Sequence, residues 1–130
     1  MLWPYHAALM ATAFTLSATG AAVSTFMRKK PWWFKTHRRL EIAGAAFLVL
    51  GYAMAAYMIW RMGADPERPH QMIGGAAVLV VLATAAAGWA SLKVRRYGAR
   101  LRTAHRWAGR LSLVLMLTAA LTGMMDAGLI

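Results

Sequence analysis

The stretch PHQMIGGAAVLVVLATAAAGWASLK, Pro69 to Lys93, carries no charge between Gln71 and Leu92. Crossing a hydrocarbon core of about 30 Å takes roughly 20 apolar residues at a rise of about 1.5 Å each. This stretch has that length, and three others repeat its pattern. Residues 1–27 are uncharged, as are Ile42 to Trp60 and Leu111 to Met125. The last of these becomes a full span once Arg106 and Arg110 snorkel toward the headgroups. The sequence therefore predicts an all-α, integral membrane, up-and-down four-helix bundle in one domain, with helices near 3–27, 36–62, 69–93 and 103–128.

The chain is 60% apolar and carries 15 Lys and Arg against 4 Asp and Glu, a net charge of +11. Arg28, Lys29, Lys30, Lys35, Arg38 and Arg39 cluster between the first and second helices. Lys93, Arg95, Arg96, Arg100, Arg102, Arg106 and Arg110 cluster between or just inside the third and fourth, leaving only Arg61 and Arg68 on the other side. The positive-inside rule puts both basic loops in the cytoplasm and both termini outside. These cations flank membrane spans and form no nucleic-acid motif, so topogenesis and anionic lipid, not nucleic acid, account for them.

Without cysteine, disulfides, iron–sulfur clusters and thiolate metal sites are excluded. The first stretch lacks a basic leader and is too long for a signal-peptide core, so it is expected to stay in the mature protein. Pro31, the Asp65-Pro66-Glu67-Arg68-Pro69 turn and Gly98 mark the connections. Trp3, Tyr5, Trp32, Trp33, Tyr57, Trp60, Tyr97 and Trp107 fall at the expected interfaces, with Trp89 one turn deeper.

Each span opens with one histidine. His6, His37, His70 and His105 are the whole complement, spaced 31, 33 and 35 residues apart. In an up-and-down bundle, His6 and His70 share the outer end while His37 and His105 share the cytoplasmic end. A glycine follows each histidine on its own face at the far end of the helix. The offset is 14 residues for His6 to Gly20 and His37 to Gly51, and 18 for His70 to Gly88 and His105 to Gly123. At about 100° per residue these offsets return within about 40° of the histidine, or onto its face. Gly74 and Gly109 stand four residues after their histidines, and Gly44 seven after His37.

This pattern suits two bis-histidine haems: each helix ligates one at its near end and, through glycine, gives the other's flat macrocycle clearance at its far end. Two axial imidazoles favour electron transfer over oxygen chemistry, and no catalytic residue is singled out. Taken singly, an interfacial histidine or a packing glycine is the commoner case. Zinc is disfavoured by two histidines per side with no further ligand but Glu41. Glu41 is expected to pair with Arg38 or a base of the fourth helix, with a proton-linked role beside the haem as the alternative. The methionines, Met54, Met58 and Met62 among them, read as gap-filling or lipid-facing. A small multidrug transporter is disfavoured because its first helix should hold an acid, whereas a haem-free scaffold or assembly subunit stays open.

His70-Gln-Met-Ile-Gly74, His105-Arg-Trp-Ala-Gly-Arg110 and Trp33-Phe-Lys-Thr-His-Arg-Arg-Leu40 resemble the core of the cytochrome b561 family, including its DOMON-linked and bacterial members. The resemblance covers nearly the whole chain. It implies transmembrane electron transfer, as a possible transmembrane oxidoreductase, through two b-type haems, the outer on His6 and His70 and the cytoplasmic on His37 and His105. It also implies a quinol, an ascorbate-like donor, a ferric chelate or a redox protein as partner. Eukaryotic relatives add helices or a DOMON domain, so the four-helix core is expected to be a module or subunit of a larger complex in a bacterial inner membrane. Where the family often has glutamine four residues after the second histidine, this chain has Glu41.

Overall fold

The structure, a computed structural model, describes residues 2–63 and 67–130; the turn expected at Asp65 and Pro66 lies outside the described residues. Four long helices form: α1 (Trp3–Phe26), α2 (Trp33–Met62), α3 (Pro69–Lys93) and α4 (Gly98–Asp126). All four are long and apolar enough to cross a membrane, and the chain is a multi-pass membrane protein. In lipid only a helix satisfies every backbone hydrogen bond within one segment. The hydroxyls that interrupt the apolar runs solve the same problem by bonding back to their own helix. Thr12, Thr15 and Thr19 donate to the carbonyls of Ala8, Ala11 and Thr15 at 2.7–2.8 Å.

The helix starts differ from the sequence reading in two places. α2 begins at Trp33, where a turn closed by the Trp33 amide on the Lys30 carbonyl leads directly into the helix. α4 begins at Gly98, after the short 3-10 turn Arg95–Tyr97. The sequence suggests a soft connection at Gly98, but its φ and ψ are helical at −53° and −40°. It lies buried where α4 turns back against α3, and a Cβ there would stand 3.4 Å from the Ser91 carbonyl oxygen. α2 ends on Gly63, whose φ of 62° is the left-handed conformation that stops a helix most easily at glycine.

Small residues set the architecture. A Cβ on Gly44 would stand 2.6 Å from Ser17 Oγ and 3.2 Å from the Ala13 carbonyl oxygen, so α1 and α2 cross almost backbone to backbone. α1 thus packs along α2, and α3 along α4, as two antiparallel hairpins. Between hairpins the neighbours α1/α4 and α2/α3 touch much less. Among the described residues no Cα of α1 comes within 8 Å of α3, nor of α2 within 8 Å of α4. The diagonals are left to side chains.

At mid-depth those side chains are Ala13, Leu48, Ala77, Val78 and Met116, with Met10, Phe14, Val81 and Leu115 packed around them. Ala13 is seven residues from both His6 and Gly20, about 10 Å along the axis either way. The plug therefore separates two levels, one at each end of the bundle. Phe26, Leu79, Trp89 and Val114 point outward, as lipid-facing surface requires.

Candidate functional site

All four histidines point into the bundle and are part-buried. Across one diagonal the His6 and His70 rings lie 6.1 Å apart, centroid to centroid, with planes at 80°. Across the other, His37 and His105 lie 6.1 Å apart at 79°. Imidazole pairs thus bridge the two diagonals that the backbone leaves open.

The orientation of each ring comes from the neighbouring helix of its own hairpin. His6 Nδ1 donates to the Gly51 carbonyl at 2.9 Å, and His37 Nδ1 to the Gly20 carbonyl at 2.9 Å. His70 Nδ1 donates to the Ala119 carbonyl at 2.9 Å, and His105 Nδ1 to the Thr84 carbonyl at 2.8 Å. A carbonyl can only accept, so each Nδ1 carries the proton and Nε2 is the lone-pair nitrogen of each ring. Every acceptor lies 14 residues after the histidine of its own helix. One register rule therefore serves both hairpins. The sequence shows it as glycine in the first two helices and hides it behind Thr84 and Ala119 in the others, although the same offset locates them.

The glycines of α3 and α4 seat the rings. A Cβ on Gly88 would stand 2.9 Å from His105 Nδ1, and one on Gly123 would stand 2.8 Å from His70 Cε1. At Gly51 the space belongs to Met10, whose Sδ would be 2.7 Å away, and at Gly20 to Glu41, whose Oε1 would be 2.6 Å away. In all four places the first neighbour of the missing Cβ is thus a protein side chain. Gly74, one turn beyond His70, is different. It is buried, yet nothing lies within 4 Å of where its Cβ would be.

Three further residues border these levels. Glu41 does not turn to Arg38, which follows His37 directly and lies exposed on another face; its Oε1 instead lies 3.6 Å from His37 Nδ1. The Trp33 ring lies 6.4 Å from the His37 ring, tilted by 31°, with the Arg28 guanidinium 5.9 Å from the indole. Beside His70, the buried Gln71 Oε1 has no hydrogen-bond partner. Arg110 folds back over Trp107 at 4.9 Å, toward the basic end of α4, which is how a cation inside a span stays near the headgroups.

A metal held between two imidazole nitrogens at about 2 Å each puts the ring centroids about 6 Å apart, which both pairs match. Among the described residues no three His, Asp, Glu or Cys side chains converge as a metal-ion site. Two nitrogens fit a metal whose remaining positions are filled by something else. A macrocycle does that, and the open space at Gly74, one turn beyond His70, fits such a group.

The class defined by this arrangement is a multi-pass membrane protein with paired imidazoles at two depths. The family model for eukaryotic cytochrome b561 matches residues 5–129, and the chain belongs to the cytochrome b561 family. It is accordingly a membrane redox protein of the haem b kind, suited to transmembrane electron transfer. No curated protein and no solved structure matches it.

Proposed function

We propose that the chain holds two b-type haems, one between His6 and His70 and one between His37 and His105, and passes electrons between partners on opposite membrane faces. The observation that carries this reading is that both diagonal pairs have the same 6.1 Å separation, with every Nδ1 engaged by a backbone carbonyl. Bound haem supplies one-electron chemistry at iron. The protein fixes the tautomer and angle of each imidazole, and its carbonyl partners raise the basicity of Nε2. The Leu48 and Met116 plug excludes water between the two levels. Gly20, Gly51, Gly88 and Gly123 keep the helix surfaces flush there, and clearance for the macrocycle is a second use of the same missing Cβ.

The basic loops orient the chain with both termini outside the cytoplasm, so His37 and His105 form the cytoplasmic pair and His6 and His70 the outer one. The setting is a bacterial inner membrane, with the bundle acting alone or as a subunit. The donor and acceptor belong to a small class: a quinol, an ascorbate-like reductant, a ferric chelate or a redox protein. A pyridine haemochrome assay on purified protein tests the reading. Two haems b per chain, low-spin in both oxidation states, are expected. A chain that purifies folded and free of haem would be a scaffold subunit instead, and the cytochrome reading would fall.

A further inference from the structure

The four histidines share one backbone rule, but His37 has an extra neighbour. Glu41 lies one helical turn after it, and its Oε1 stands 3.6 Å from His37 Nδ1. Among the described residues, this is the one histidine with a carboxylate at that distance. The same oxygen occupies the space that a Cβ on Gly20 would need, 2.6 Å from it. Glu41 is therefore wedged between its own histidine and the glycine whose carbonyl already accepts the His37 Nδ1 proton at 2.9 Å. A carboxylate inside a membrane span is costly unless a donor meets it. Here Oε1 faces the imidazole N–H at 3.6 Å, an electrostatic contact rather than a hydrogen bond, and Gly20 is shaped to let the acid approach.

An acceptor at Nδ1 strengthens the donor power of Nε2, and a negative charge beside the same N–H adds to that effect through space. A stronger ligand favours the higher charge on the metal. We propose that Glu41 is a positioning and tuning residue for one of the two haem sites. Its carboxyl group, 3.6 Å from the His37 Nδ1 that already donates to Gly20, acts through space and holds the haem of the His37 and His105 pair at a lower potential than a neutral side chain there would. The inference rests on the two-haem reading above. It makes two sites with the same ligands electronically unequal, and it gives Gly20 a use in addition to helix packing.

The test is a spectroelectrochemical titration, at one fixed alkaline pH where the acid is ionised, of the full chain in lipid nanodiscs, with haem counted in every sample. Glu41→Gln and Glu41→Ala should each raise one of the two midpoints, that of the haem lost in His105→Ala, and leave the other unmoved. Gly20→Ala, whose new methyl group displaces Oε1, should move the same midpoint in the same direction. Gly20→Ala combined with Glu41→Gln should move it no further than Glu41→Gln alone. A merely structural role would shift both haems or lower haem content. Two haems with wild-type midpoints in the Glu41 variants, equal shifts of both, or an additive double variant would overturn the proposal alone. Fewer than two haems in the wild-type chain would overturn the ligation reading and the proposal with it.

Discussion

His105 Nδ1 donates to the carbonyl of Thr84 at 2.8 Å, and the same ring rests against Gly88, one turn further along α3. His70 repeats the arrangement on α4, with Ala119 as acceptor and Gly123 beneath the ring. Acceptor and glycine sit four residues apart on one helical stripe, so the backbone that fixes the tautomer also fixes how far the ring can enter. Gly88→Ala should therefore push the His105 imidazole out and remove the haem of the His37 and His105 pair. Gly123→Ala should remove the other. Overpacking of this kind costs about 1–3 kcal/mol. Haem per chain, with reduced-minus-oxidised spectra, reads the loss, and retention of both haems in either variant would contradict the seating role.

The pairing itself gives a sharper expectation. His37→Ala and His105→Ala should abolish the same spectral component, and His6→Ala and His70→Ala the other. Partial occupancy is expected to fall on the residual component only weakly, because the Leu48 and Met116 plug stands between the levels. Loss of different haems within one pair would refute the diagonal assignment.

Much of this architecture was legible because lipid leaves few options. Four uncharged runs, with all cations but Arg61 and Arg68 clustered around two of the connections, specify an up-and-down bundle before any contact is known. One histidine per run then fixes which rings share an end. A backbone carbonyl or water is the expected partner of each imidazole's second nitrogen, but which carbonyl accepts has no residue signature; Thr84 and Ala119 look like lipid-facing or packing residues. For Glu41 the sequence points to Arg38 or a base of the fourth helix, because opposite charges attract. In the structure, the direction of the side chain is set by the gap at Gly20, which only the packing of α1 on α2 creates. The start of α4 was missed because Gly98 reads as a breaker, whereas its role is to let two helix ends meet closely.

The α1 and α2 crossing should be the least forgiving point of the first hairpin. Gly44→Ala places a methyl group 2.6 Å from Ser17 Oγ and 3.2 Å from the Ala13 carbonyl oxygen, and the backbone atom has little freedom to yield. A loss of about 1–3 kcal/mol in detergent unfolding is expected. Gly44→Ala with Ser17→Gly should recover only part of it, since the carbonyl contact remains. Wild-type stability in Gly44→Ala would show that the helices cross less closely than described.

Gly74 calls for the opposite result. It is buried, but a Cβ there meets nothing within 4 Å, so Gly74→Ala should leave the stability of the haem-free fold unchanged within about 0.5 kcal/mol. A larger side chain fills the open space one turn beyond His70. Gly74→Leu should accordingly lower haem content at the His6 and His70 level while leaving the other level loaded. Full occupancy of both levels in Gly74→Leu would mean that this space is not part of the haem slot.

The ring planes give an expectation that needs no variant. Within each pair the imidazole planes stand at 80° and 79°. Parallel axial imidazoles lift the degeneracy of the two iron orbitals that interact with their π systems, whereas crossed rings leave them nearly equal. Nearly equal orbitals give a ferric low-spin signal with very large anisotropy. Both haems should therefore show electron paramagnetic resonance at unusually low field, without the rhombic triplet of parallel ligands. The backbone acceptors at Gly51, Gly20, Ala119 and Thr84 are what hold the rings crossed, each anchoring one Nδ1 in a direction set by its own helix. A rhombic spectrum from either haem would mean that its pair of rings rotates on loading and that those hydrogen bonds do not survive in the holoprotein.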